Sequence, residues 1–167
     1  MSLKEKGKAI MQWTVEKFIA KDSKEIEEKD IKPYEVVKGK PHNCLLHEGI
    51  ATFLGLLCSI GTETAYNNAN ARIGVGNDAT APADTQTGLI GISKLYKAMN
   101  ATYPSKSGDH DIVFQSDFVS GEAEWAWLEE AIDNGATALI DLCRQNTSLG
   151  TKPANQTWRI TGTISWS

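Results

Sequence analysis

The sequence predicts a mainly β fold with one helix: an antiparallel β-sandwich or barrel-like domain with an extended N-terminal arm. Several short stretches alternate apolar and polar residues, which is the pattern of half-buried strands. Gly, Asn and Asp turns separate these stretches at short spacing, as is typical of antiparallel sandwiches and barrels. One further stretch repeats its apolar residues at helical spacing and predicts a helix.

Composition restricts the class of protein. The chain has 167 residues, of which 41% are hydrophobic and 23% charged, so it can bury a core of its own. The longest apolar stretch, 50–60, is too short to cross a bilayer, and no secretory signal is visible, so we expect no membrane partner. The net charge of −4 argues against direct nucleic-acid binding. Cys44, Cys58 and Cys143 are far apart, which indicates reduced thiols in a reducing compartment.

Charge is distributed unevenly along the chain. Residues 1–40 contain ten lysines and eight acidic residues, whereas residues 41–167 contain seven basic and thirteen acidic residues. The shift in composition predicts a boundary near residue 40. We therefore expect a charged N-terminal arm with a short strand over 1–40 and a compact β-rich domain over 41–167.

The arm contains its own strand pattern. Residues 11–16 alternate apolar and polar, and Phe18 extends the pattern, whereas 21–32 is a charge run typical of an exposed linker or short polar helix. Trp13 needs a surface to bury it, and the candidates are the domain's own sheet and a neighbouring subunit. We predict a subunit or shell interface on the arm's apolar and aromatic side chains, namely Met11, Trp13, Val15, Phe18 and Tyr34.

After the boundary, the sequence predicts a mostly buried helix over 44–60. Asn43 is a plausible N-cap, Gly61 is a natural stop, and the apolar residues between them recur at helical spacing: Leu45, Leu46, Gly49, Ile50, Phe53, Leu54, Leu57 and Cys58. Five strands are predicted downstream, over 71–76, 95–99, 111–119, 122–132 and 157–166, with a long loop over 77–91. Residues 138–143 fit a helical turn or a strand.

The sequence contains no convincing catalytic set, so we expect a protein that is not an enzyme and that has no cofactor and no metal. Gly74-Val75-Gly76 lacks the third glycine of a dinucleotide fingerprint, and tight backbone packing explains it better. Glu122 and Glu124 could form an acid/base pair, but paired acids on the solvent face of a sheet are commoner. The Asp109-His110-Asp111 turn follows Ser107, but sequence neighbours on a turn seldom form a triad.

Several segments resemble a known group of proteins. They are 43–50, 69–78 with its Ile73-Gly74-Val75-Gly76 strand, 85–89, the Gly121-Glu122-Ala123 strand start, 148–152 and the Thr-rich ending 157–164. Together they look like structural proteins of tailed-bacteriophage virions. The acidic stretch 127–134 departs from that group, which usually has a more glycine-rich turn there.

The resemblance implies a non-catalytic β-rich building block of the particle. A capsid decoration (cement) protein best suits the size and acidic balance. Its expected partners are its own subunits, as a homotrimer, and the major capsid protein. Its expected location is the outer capsid surface of the virion, after assembly in the bacterial host cytoplasm.

Two alternatives stay open. A tail, baseplate or fibre component would share the same building-block character. A small hydrolase or ligand-binding domain would use either Glu122 with Glu124 or the Asp109-His110-Asp111 turn.

Overall fold

A computed structural model describes residues 9–42, 45–136 and 141–166. In chain order the elements are β1 (Ala9–Phe18), α1 (Ser23–Glu28), β2 (Glu35–Lys38), α2 (His47–Cys58), β3 (Arg72–Gly76), β4 (Lys94–Ala98), β5 (Ser105–Ser107), β6 (Asp111–Phe118), β7 (Ala126–Trp127), β8 (Glu129–Asp133), β9 (Asp141–Gln145), β10 (Gly150–Thr151) and β11 (Thr157–Trp166). The structure contains the one helix that was expected, α2, and a second, short helix, α1.

Two antiparallel sheets form the body of the protein. One has five strands in the order β2-β1-β11-β6-β5, the other four in the order β4-β3-β8-β9, and β7 pairs separately with β10. One hydrophobic core draws side chains from both sheets, including Trp13, Ile160, Ile73 and Ile132. The predicted mainly β, antiparallel sandwich is therefore confirmed.

Strand β1 is an inner strand of the five-stranded sheet. All ten of its residues pair with β11, from Ala9 with Trp166 to Phe18 with Thr157, and β2 pairs with its other edge. Residues 9–40 therefore belong to the same unit as the β-rich domain, which corrects the division at residue 40. The first eight residues of the expected arm lie outside the described residues.

The predicted interface face of the arm is buried within this chain. Met11, Trp13 and Val15 are at most 1% exposed in the main core, and Phe18 packs with Ala20 and Ile26 in a smaller one. The prediction that these four side chains face another subunit or a shell is wrong. A period-two pattern shows that one face of a strand is buried but does not identify the surface that covers it.

Tyr34 differs from the rest of the predicted interface. Its side chain is half exposed before β2, and its hydroxyl donates to Oε1 of Gln156 at 2.7 Å. An interface role for Tyr34 stays a prediction. The charge run between β1 and β2 forms α1, where Asp22 caps the helix by accepting from the amide of Glu25 at 2.8 Å.

Helix α2 lies on the outside of β9. It begins at His47, three residues later than predicted, and buries only Gly49 and Thr52. A Cβ on Gly49 would stand 2.5 Å from the carbonyl oxygen of Leu142, so the glycine permits the close approach of helix and strand. The prediction of a mostly buried helix is wrong, because most side chains of α2 point away from β9 and stay at least partly exposed.

The predicted strand over 122–132 is broken. Gly121 and Ala123 both have positive φ, so the chain turns there, and only β7 and β8 remain extended. The other strand predictions agree with β3, β4, β6 and β11 within one residue at each end. Of the ambiguous 138–143, the last three residues begin β9 and 137–140 lie outside the described residues.

Candidate interaction surface

The outward side of α2 and the residues just after its end present large apolar side chains to solvent. Five of them are 37–69% exposed, and we call this set the α2 surface: Ile50, Phe53, Leu54, Leu57 and Ile60. Exposed apolar residues are ordinary when scattered singly, but a contiguous patch on a small protein marks a contact surface. The α2 surface is therefore the strongest candidate site for binding another macromolecule.

Apolar residues lie on both sides of α2, as in a helix that packs between two protein surfaces. Ile50, Leu54 and Leu57 follow one another at spacings of four and three residues, the spacing of a helix–helix seam. Gly49 and Thr52 occupy the opposite side, against β9. A helix that is apolar all round is normally buried, so the exposed side of α2 has the composition of an interface.

A groove lies beside the helix. It has a volume of about 340 Å³ and a mainly apolar lining made of Phe53, Leu56, Leu57, Tyr66, Ile112, Phe114, Leu142, Ile164 and Trp166. The ring of Phe53 stacks on that of Trp166, with centroids 5.5 Å apart. Burial raises the pKa of the Tyr66 phenol, so that wall stays uncharged at neutral pH. The groove can accept an aliphatic or aromatic side chain.

The Asp109-His110-Asp111 turn borders a second cavity at the same side of the protein. This cavity has a volume of about 430 Å³ and shares Tyr66, Ile112 and Trp166 with the groove. The main-chain carbonyl of His110 accepts from the amide of Trp166 at 3.0 Å, which ties the turn to the end of β11. The turn therefore places polar residues beside the apolar groove.

Glu122 and Glu124 hold a turn together. Glu122 pairs with Lys97 through Oε1 and accepts from the amide of Val119 at 3.0 Å through Oε2. Glu124 accepts from the amide of Gly121 at 2.9 Å. The predicted shared strand face for these two carboxylates is wrong, because both lie where the chain turns.

A buried ion pair fixes the long loop that follows β3. Nε of Arg144 donates to Oε2 of Glu129 at 2.8 Å, and both side chains are fully buried. Glu129 also accepts from the amides of Ile90 and Gly91 at 3.1 and 2.7 Å. Arg144 donates as well to Gln86 Oε1 at 2.9 Å and to the carbonyl of Thr80 at 3.2 Å, so both halves of the loop are tied to the sheet.

Close contacts with neighbouring side chains explain the glycines of the resemblance strand. A Cβ on Gly76 would stand 2.2 Å from Oε1 of Glu129, and one on Gly74 would stand 2.6 Å from the ring of Tyr96. Tight packing, rather than phosphate binding, therefore accounts for Gly74-Val75-Gly76, as predicted. No local pattern in the sequence signals this pair, because Glu129 and Arg144 lie on different strands.

A second buried carboxylate lies at the start of β9. Asp141 accepts from the hydroxyl of Tyr96 at 3.1 Å, while its main-chain amide donates to Glu48 at 2.8 Å. Burial, followed by the negative charges of Asp133 and Glu48, raises the pKa of Asp141 to about 8. Asp133 itself is bound by Arg72 through two hydrogen bonds of 3.0 and 2.6 Å. This cluster links α2 to the four-stranded sheet.

Comparisons with protein-family models, with curated proteins and with solved structures found no significant match for this chain. Within residues 9–42, 45–136 and 141–166, no group of three or more His, Cys, Asp or Glu side chains could hold a metal ion. Among the described helices, none has the length and apolar character needed to cross a membrane.

Proposed function

We propose that this chain is a non-catalytic structural component of a tailed-bacteriophage particle, a decoration protein that binds and stabilises the outer capsid surface. Its proposed partners are further copies of itself, as a homotrimer, and the major capsid protein. The observation that carries the proposal is the α2 surface, since a helix with apolar residues on its solvent side is built to be covered in an assembly. The resemblance to virion proteins is the reason for proposing that this assembly is the phage particle.

Two of the segments that carry the resemblance to virion proteins lie on inner strands, one in each of the two sheets. Ile73 to Gly76 lie in β3, at the middle of the four-stranded sheet, and 157–164 lie in β11, at the middle of the five-stranded sheet. The loop between 77 and 91 is held by the Glu129–Arg144 pair.

The two carboxylates suggested for catalysis, Glu122 and Glu124, make contacts that stabilise the fold. Glu122 and Glu124 bind turn amides, and Glu122 pairs with Lys97. The double variant Glu122→Gln with Glu124→Gln removes both charges. We expect it to alter the conformation of the turn and not to abolish a catalytic activity. The contacts that Glu122 and Glu124 make support the structural proposal over a hydrolase that uses this pair.

Localisation on purified particles tests the proposal. Antibodies against the recombinant protein, carried on gold, are applied to virions of the phage that encodes the chain and viewed by electron microscopy. Label over the shell is the expected result. Label over the tail would replace the decoration role with the tail, baseplate or fibre alternative. Absence of the chain from virions, checked by mass spectrometry, would overturn both.

A further inference from the structure

We propose that the occupant of the α2 surface is a second copy of this chain, so that α2 is the helix through which the protein assembles with itself. The inference deepens the proposed function, because it assigns the self-contact to one surface. The major capsid protein would then bind elsewhere on the molecule.

Charge favours a copy of the chain over an oppositely charged partner. Residues 49–62 contain no charged side chain at all, and Glu48 and Glu63 stand at either side of them. Identical copies carry the same net charge of −4, so they meet with least repulsion where the surface is neutral. A partner of opposite charge would instead be matched by charged residues within the patch.

The shape of the α2 surface also favours a second copy of the chain as its occupant. The carboxyl end of α2 offers both a protrusion and a recess: Leu57 is 69% and Ile60 68% exposed, and the groove beside Leu56 opens next to them. A protrusion and a recess close together let neighbouring copies fit each other, either about a two-fold axis or head to tail in a closed ring such as the proposed trimer. The groove volume of about 340 Å³ has room for one or two aliphatic side chains.

The α2 surface is about the size of the apolar core of a stable contact and not of the whole contact. A helix of twelve residues is ~18 Å long, and the largest apolar patch on a protein surface covers on the order of 300–600 Å². Each partner in a standard complex buries ~800 Å² in all, with an apolar core and a polar rim. The α2 surface supplies such a core, and the turn around Asp109 and His110 supplies part of a rim.

Light scattering coupled to gel filtration tests the inference on the full chain without any particle. The wild type should elute as a discrete oligomer at concentrations of ~10 µM and above. Leu54→Glu and Leu57→Glu should each weaken self-association at least ~100-fold, because each would place an unpaired charge in the contact. Both side chains are more than half exposed in the single chain, so circular dichroism and melting temperature should stay near the wild-type values.

Ile92→Glu is the matched control. Ile92 is 99% exposed, lies outside the α2 surface and receives the same charge, so this variant should assemble like the wild type. A wild type that is monomeric up to ~100 µM would overturn the inference, because the α2 surface would then stay uncovered at concentrations where a specific contact forms. So would glutamate variants of α2 that assemble normally, or an Ile92→Glu that dissociates equally.

The outcomes separate the two proposals. A monomeric protein whose antibody still labels the shell would overturn the self-contact and leave the decoration role in place. An oligomer that dissociates on Leu54→Glu but is absent from virions would support the self-contact and overturn the decoration role.

Discussion

Trp13 lies directly against Gly162. The two residues pair across β1 and β11, and a Cβ on Gly162 would stand 2.6 Å from Cζ3 of the Trp13 ring. On its other side Gly162 pairs with Phe114, so the glycine lies between two buried aromatic residues. The missing side chain makes the room in which the β1 tryptophan packs.

Gly162→Ala should therefore destabilise the protein. The added methyl group meets a rigid ring within a closed core, and overpacking of that kind typically costs about 1–3 kcal/mol. Urea unfolding followed by circular dichroism measures the loss. Thr163→Ala, the next residue on β11 with a partly exposed side chain, is the control and should cost less than about 1 kcal/mol. Equal small losses would mean that the ring of Trp13 moves aside freely.

Trp13→Ala compared with Tyr34→Ala tests whether β1 belongs to the chain's own core. Trp13 is fully buried, and removing a buried aromatic side chain costs about 3–5 kcal/mol. Tyr34 is 51% exposed, so its truncation should cost less than about 1 kcal/mol. The free energy of unfolding of both variants is measured under the same conditions. A small loss for Trp13→Ala would return that residue to the interface interpretation.

Arg144→Met should destabilise the protein by about 3–5 kcal/mol, because it leaves the buried carboxylate of Glu129 without its cation. The loop at 77–93 should then become a site of limited proteolysis, since Gln86 and Thr80 lose the donor that holds them. Adding Glu129→Gln should recover part of the loss by removing the unpaired charge.

Lys24→Met is the control for the loss of an ion pair. Lys24 and Glu28 are 3.6 Å apart with both side chains exposed, and such pairs contribute about 0–1 kcal/mol. If Arg144→Met cost no more than Lys24→Met, the buried pair would not be what fixes the loop.

Asp141 should make the protein less stable as the pH rises. Its pKa is raised to about 8 in the folded state, against about 3.9 for an unfolded aspartate. Between these two pH values Asp141 keeps its proton in the folded state and loses it in the unfolded state. The stabilisation that results from the raised pKa is therefore complete below about pH 4 and is lost by about pH 8. Asp141→Asn should remove this dependence and exceed the wild type in stability at about pH 8.5.

Urea unfolding at about pH 5 and about pH 8.5 measures the effect. Asp109→Asn, which removes a carboxylate from an exposed turn, is the control for the change in net charge. An Asp141→Asn variant that keeps the wild-type difference between the two pH values would contradict the assignment.

Local patterns in the sequence determined much of the sheet. The alternation in 11–16 and 157–166, the Ile73-Gly74-Val75-Gly76 segment and the turn-rich 77–91 each predicted an element that the fold contains. Strand periodicity and turn composition depend on near neighbours along the chain, so one sequence suffices to recognise them. The failure at 122–132 is also local, because positive φ at Ala123 is rare for a residue with a side chain.

Only the tertiary structure decided which surface covers which face. The alternation around Trp13 is the same whether the strand joins its own sheet or a neighbour's, and the pairing with β11, far along the chain, settled it. The helical spacing of the apolar residues around Leu54 is the same whether α2 is buried or exposed. The position of α2 on the outer side of β9 decided that most of the helix is exposed. The ion pair of Glu129 and Arg144 likewise exists only because β8 and β9 are adjacent. Sequence determines how apolar each face is, but contacts between distant segments determine what lies against it.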